Sequence, residues 1–173
     1  MRSLTLLRHA KSSWDDDSID DFDRPLNDRG RRSAKAMGKH LAAKNAAFDL
    51  ILASPAERVV ETLKGLEAGG WNTNRVQFDP AIYHASTNDL LEMIRAAPGE
   101  VRRLMLVGHN PVLGMLALQL SGEDNEGLRA QVAENYPTGA LAEIALEIDD
   151  WNEAGPQCGR LVEFTVPRSL SGA

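Results

Sequence analysis

The chain has 173 residues, 43% of them apolar, and a formal net charge of -6 at pH 7. That length suits a single domain spanning 1–173 with one sizeable core, and the acidic balance speaks against general nucleic-acid binding, which needs a broad basic footprint. A lone cysteine, Cys158, excludes an intramolecular disulfide. The longest apolar run, at 112–120, is too short for a bilayer and no cleavable leader follows Met1, so a cytoplasmic protein with no membrane partner is expected.

In chain order, residues 3–8 read as a strand and 15–27 as a polar loop rich in aspartate. Residues 28–46 read as a helix with Ala34, Met37, Leu41 and Ala42 on one face, and Asn27 as its N-cap. "DLILAS" at 49–54 reads as a short buried strand. "SPAERVVETLKGL" then carries helix-start signals: Ser54 to cap, Pro55 at the first position and Glu57 to complete a capping box. Residues 75–79 read as a short strand, 87–96 as a helix after Ser-Thr-Asn, and 103–108 as a buried strand. Asn110 and Pro111 open a helix over 111–121. Two strand-like runs, 140–148 and 160–167, close the chain as antiparallel neighbours or edges.

Strands alternating with helices predict a three-layer α/β/α fold, its sheet mostly parallel with an antiparallel edge. Such sheets bind ligands at the carboxyl ends of their strands. Three strands end in chemistry there: Arg8-His9, then Ser54 with Arg58 one turn on, then Gly108-His109. Parallel strands would bring Arg8, His9, Arg58 and His109 to one edge, beneath two helix N-termini that favour an anion. Two arginines grip phosphate oxygens bidentately, and two imidazoles can attack and stabilise at neutral pH. The plain alternatives are a solvated Arg8, structural histidines, and an Arg58 paired with Glu57 or Glu61 on its helix.

"LLRHAKSSW", "SPAERVVET" and "LVGHNP" resemble the three motifs of the histidine phosphatase superfamily, the phosphoglycerate mutase-like fold, and most of all its SixA-type phosphohistidine phosphatases. "DRPLNDRG" and "YPTGA" also look family-like, so the resemblance covers about residues 4–139. It implies that His9 is a nucleophile that becomes transiently phosphorylated. By the same resemblance Arg8 and Arg58 hold the phosphoryl oxygens, and His109 stabilises the transition state. It implies no metal and no organic cofactor. Two departures stand out. Ala10 replaces the family's usual glycine after the nucleophile. The acid that many members use to protonate a leaving oxygen has no clear equivalent; Asp79, Tyr83 and His84 are the nearby candidates, and Asn110 stands where the acid-phosphatase branch carries its acidic donor.

The run "DDDSIDDFD" at 15–23 lacks the calcium-loop pattern and reads as a solvated loop. Lys11 either touches phosphate or balances those aspartates. Ser12 and Ser13 lack a triad partner, so loop hydrogen bonding suits them better. Trp14 reads as a pocket rim or a half-buried packing residue, and His40 as an ordinary surface residue. The expectation is a phosphatase acting through His9 on phosphohistidine of a protein. The alternatives are a small-molecule phosphomonoesterase or mutase of the same fold, or a phosphate-binding module without turnover. Only fifty residues separate Arg58 from His109, leaving no length to roof the site; an open site suits a phosphorylated protein over a small phosphorylated substrate.

Overall fold

The computed structural model describes residues 1–124 and 126–173. Its centre is a six-stranded sheet made of β1 (Arg2–Arg8), β2 (Leu50–Ala53), β3 (Val76–Phe78), β4 (Arg103–Gly108), β5 (Leu141–Leu146) and β6 (Gly159–Thr165), in the order β3-β2-β4-β1-β5-β6. The first four strands are mutually parallel. β5 runs antiparallel to β1, and β6 antiparallel to β5. β6 therefore points the same way as β1, and its carboxyl end reaches the same edge.

Helices cover both faces, so the central strands β1, β2 and β4 are mostly buried on both sides. Leu4, Leu6, Leu104 and Leu106 pack on one face with Leu91 and Ile94 of α3 (Thr87–Arg95), Leu113 and Leu116 of α4 (Val112–Leu120), and Val132 of α5 (Leu128–Glu134). Leu7, Ile51, Met105 and Val107 pack on the other with Met37 and Leu41 of α1 (Asp28–Ala43) and Val59 and Leu63 of α2 (Glu57–Ala68). α1 and α2 cross in close contact because a side chain is missing: a Cβ on Gly38 would lie 2.2 Å from the Leu66 carbonyl oxygen. Among the described residues no helix is long and apolar enough to cross a membrane.

The predicted layers, strand directions and antiparallel edge are those observed; four local readings change. α1 ends at Ala43, three residues early, because Asn45 turns left-handed at φ 51° and its neighbour Ala46 bonds back to Leu41. α2 starts at Glu57 behind Ala56, which makes no side-chain cap, and there is no capping box; Ser54 lies two residues further back and accepts from the Ala56 amide at 3.2 Å. α4 starts at Val112, and Asn110 supports it from further back by accepting from the Gly114 amide at 3.2 Å. The sequence reading has no counterpart to α5. It begins after Gly127 in the left-handed region, where the Asp124 carboxylate accepts from three successive amides, those of Gly127, Leu128 and Arg129.

Candidate active site

β1, β2 and β4 end level with one another: Arg8 is in register with Gly108, and Ala53 with Val107. The next residues are His9, Ser54 and His109, so register alone places them side by side. The His9 and His109 rings lie 5.3 Å apart between centroids, tilted by 55°. Arg58, in the first turn of α2, reaches across to donate to His109 Nδ1 at 3.4 Å. Arg8 donates to the Tyr136 carbonyl at 2.8 Å, and its charge is felt by both histidines. The structure therefore gathers all four residues that the sequence singled out. His9, Arg58 and His109 are only 7%, 8% and 9% exposed, which sets the electrostatics of the site.

The hydrogen bonds fix tautomers. His9 Nδ1 lies 2.7 Å from the Ala10 carbonyl oxygen, which can only accept, so Nδ1 carries the proton and Nε2 the free lone pair. The departure at Ala10 is accommodated, because its backbone avoids the positive φ that would demand glycine. Ala10 is fully buried, and its amide donates to Thr62 Oγ1 at 2.9 Å; that hydroxyl in turn donates to the Arg58 carbonyl. One threonine thus ties the loop after β1 to the helix that carries Arg58. A second brace comes from α1, whose Gly30 would place a Cβ 2.1 Å from the Lys11 carbonyl oxygen. On His109 the Arg58 N–H occupies Nδ1, so Nε2 carries the proton and donates to Ser54 Oγ at 2.8 Å. Ser54 is the residue whose function the sequence reading missed. Its fully buried hydroxyl accepts from the Ala56 amide at 3.2 Å, at the entry to α2, and also orients His109.

A carboxylate also enters the site from an unexpected place. The aspartate-rich loop is not wholly solvated: Asp21 folds back over Arg58. Arg58 donates to the Asp21 backbone carbonyl at 2.7 Å and to its carboxylate at 3.1 Å. The Tyr83 hydroxyl donates to the same carboxylate, and Phe22 meets the Tyr83 ring edge-on at 5.1 Å. Tyr83 also meets His109 edge-on at 5.5 Å. Arg58 therefore pairs with Asp21, and not with Glu57 or Glu61; the Glu61 carboxylate accepts from the Leu26 amide. The Tyr83 bond and the Arg58 charge hold the Asp21 carboxyl below its usual range, and burial pushes the Tyr83 hydroxyl up.

The other candidates fall outside this cluster. Asp79 caps the short turn at Pro80–Ile82 by accepting from the Ala81 amide. His84 is exposed beside the Tyr83 ring. Lys11 lies in a separate cleft with Arg29 and Arg168. Ser12 and Ser13 pair with the segment at Pro25–Leu26, as loop residues do. Trp14 is exposed under the Arg24 guanidinium, which removes its packing reading, and His40 bonds Glu163 at 2.9 Å, so it is more than an ordinary surface residue. A larger cavity of about 430 Å³, by Phe48, Trp71 and Arg75, contains none of the site residues. Among the described residues no group of three or more His, Cys, Asp or Glu side chains is placed to hold a metal ion.

Burial, added to by the charge of Arg58, lowers His9 to about 3 and His109 to about 4. Both rings are therefore neutral at physiological pH, and the pair links stability to acidity. An unfolded histidine titrates near ~6.5. As pH falls from about 6.5 to 5 the unfolded chain takes up protons that these folded rings refuse, so stability drops. The thermal midpoint should fall across that window, and His9→Ala should flatten the fall. A wild-type midpoint independent of pH there would contradict a neutral buried pair.

The comparisons with known proteins agree with this geometry. The family described as "Histidine phosphatase superfamily (branch 1)" matches residues 4–82. An uncharacterized protein of Mycobacterium tuberculosis is 35% identical over 167 residues, covering 94% of this chain and 100% of its own. The crystal structure of a candidate phosphohistidine phosphatase SixA from Agrobacterium tumefaciens superimposes with a TM-score of 0.80 at 30% identity, over 96% of this chain and 98% of that one. The protein histidine phosphatase SixA in complex with tungstate shares the fold at a TM-score of 0.76 and 20% identity, over 96% and 98%.

Proposed function

The chain belongs to the histidine phosphatase superfamily, in its SixA-type branch, and is a phosphatase; from that premise we propose that it removes the phosphoryl group from phosphohistidine on a protein, by way of His9. The observation that carries the proposal is the state of His9: a neutral ring, its proton held by the Ala10 carbonyl, its Nε2 lone pair free among the cations Arg8 and Arg58.

In the proposed reaction Nε2 attacks phosphorus in line with the bridging nitrogen of the substrate. The P–N bond of the substrate breaks as the P–Nε2 bond forms, and the electron pair leaves with the imidazole. Arg8 and Arg58 hold the non-bridging oxygens, Arg58 exchanging the Asp21 carboxylate for phosphate. His109 joins them once its Nε2 proton swings from the Ser54 hydroxyl to a phosphoryl oxygen and Arg58 releases its Nδ1. These groups hold fixed positive dipoles where charge concentrates in the transition state. Phosphorylated His9 keeps its Nδ1 proton on the Ala10 carbonyl, which stabilises the positive ring. Water then attacks phosphorus, the P–Nε2 bond breaks, both protons of the water leave on dihydrogen phosphate, and His9 is restored.

The substrate follows from where protons are. A phosphate ester departs as an alkoxide unless an acid protonates its bridging oxygen. Here the carboxylate at the site, Asp21, is held ionised by the Tyr83 hydroxyl and Arg58, so it offers no proton. Phosphohistidine needs none at the bridge, because its bridging nitrogen has no free lone pair. Its far nitrogen takes a proton from water, and the departing imidazole is neutral with a conjugate-acid pKa of about 6.5. The kcat/KM for a phosphohistidine protein should exceed that for phosphoserine or 3-phosphoglycerate by a wide margin, with aryl phosphates between. Comparable turnover of an alkyl phosphate would defeat the substrate assignment and make Asp21 or Tyr83 a working acid.

A further inference from the structure

The cleft beside the catalytic loop has a composition that the rest of this acidic chain does not suggest. It measures about 180 Å³ and is lined by Lys11, Arg29 and Arg168, with Ser33, Asn135 and Thr138 between them and no acidic residue. Among the described residues, none of these three cations makes a side-chain hydrogen bond or an ion pair. Ser33, only 7% exposed, lines the cleft from α1. Arg29 lies in the first turn of α1, where the helix dipole disfavours a cation and welcomes an anion beside it. Glu134 borders only the neighbouring cavity, which shares Arg168.

Topology puts this cleft at the edge of the sheet that carries the site. Lys11 follows the carboxyl end of β1, and Arg168 follows that of β6, which runs in the same direction. Thr138 precedes Gly139, whose amide donates to the His9 carbonyl at 2.9 Å. Lys11 is two residues from His9, so their Cα atoms are at most about 7 Å apart. That is the span of about two residues of an extended peptide, so side chains from two positions outward of a phosphohistidine seated on His9 come within reach.

We infer that this cleft is a specificity site for carboxylate side chains flanking the phosphohistidine of an acidic protein substrate. The inference rests on the protein-phosphohistidine reading above. The test uses two phosphohistidine peptides, one with aspartates two to four residues from the phosphohistidine and one with asparagines there, and the double variant Arg29→Gln/Arg168→Gln. For the wild-type protein, KM should be about tenfold lower for the acidic peptide at low salt, from several charge-assisted contacts each worth a few-fold. The advantage should shrink at high salt. The double variant should lose the preference while its kcat/KM on an aryl phosphate stays within about twofold. Equal KM values in the wild type, or a preference that survives the double variant, would overturn the inference. If neither peptide is turned over, the functional reading fails by itself, and the cleft is then judged by inhibition of aryl-phosphate turnover with the unphosphorylated peptides. Inhibition by the acidic peptide alone, lost in the variant, supports the site; equal inhibition by both, or none, refutes it.

Discussion

Replacing His9 with alanine should remove the phosphoenzyme and, with it, turnover. The imidazole offers a lone pair that no neighbouring group can replace: the other ring at the site has its Nδ1 occupied by Arg58 and its Nε2 proton on Ser54. Loss of a nucleophile costs on the order of 10⁶ in rate where it has been removed singly. In a rapid-quench experiment with labelled substrate, wild-type protein should carry acid-labile, alkali-stable label, as expected of phosphohistidine. His9→Ala should carry none. The variant should fold, because the ring's own hydrogen bond is to the adjacent Ala10 carbonyl and no distant element hangs from it. Acid-stable label on Ser12 or Ser13 would sink the assignment.

The parts of this site visible in the sequence and the parts hidden from it differ for a physical reason. Arg8, His9 and His109 sit at the ends of buried strands, and strand ends in a parallel sheet share an edge whatever the loops do. Arg58 follows by one helical turn. Asp21 could not be found that way. It is one of six aspartates in a polar stretch with no periodicity, and its selection depends on how that loop approaches α2. Ser54 shows only half of its role locally: Ser-Pro-x-Glu marks a helix entry, and its Oγ does accept from the Ala56 amide there, but its second partner, His109, lies 55 residues on. α5 was missed because seven residues between Gly127 and Asn135 give too short a stripe to register. Its signal was there in Asp124, four residues ahead, whose carboxylate caps it.

Arg58→Ala should leave the fold nearly unchanged and cut turnover by on the order of 10²–10³, the loss expected when one preorganised donor to a developing charge is removed. The fold should survive because the Arg58 contacts run to a loop and to a neutral ring, and an ion pair to a half-exposed Asp21 adds little stability. A thermal midpoint within a few degrees of wild type would check this. Arg58→Lys should recover only part of the rate, since a point charge lacks the planar fork that holds two oxygens. The informative partner is Asp21→Asn. Asp21 occupies the fork that phosphate must take, so neutralising it should lower KM by a few-fold, in keeping with an exposed ion pair, and leave kcat unchanged. The two variants therefore pull in opposite directions if Arg58 grips substrate and Asp21 merely competes for it. If Asp21→Asn instead loses as much turnover as Arg58→Ala, the carboxylate takes part in the chemistry. The pair would then have to be read as an acid held in place by an arginine, and alkyl phosphates would return as substrates. If Arg58→Ala stays within a few-fold of wild type at saturating substrate, Arg58 is no part of the phosphate clamp.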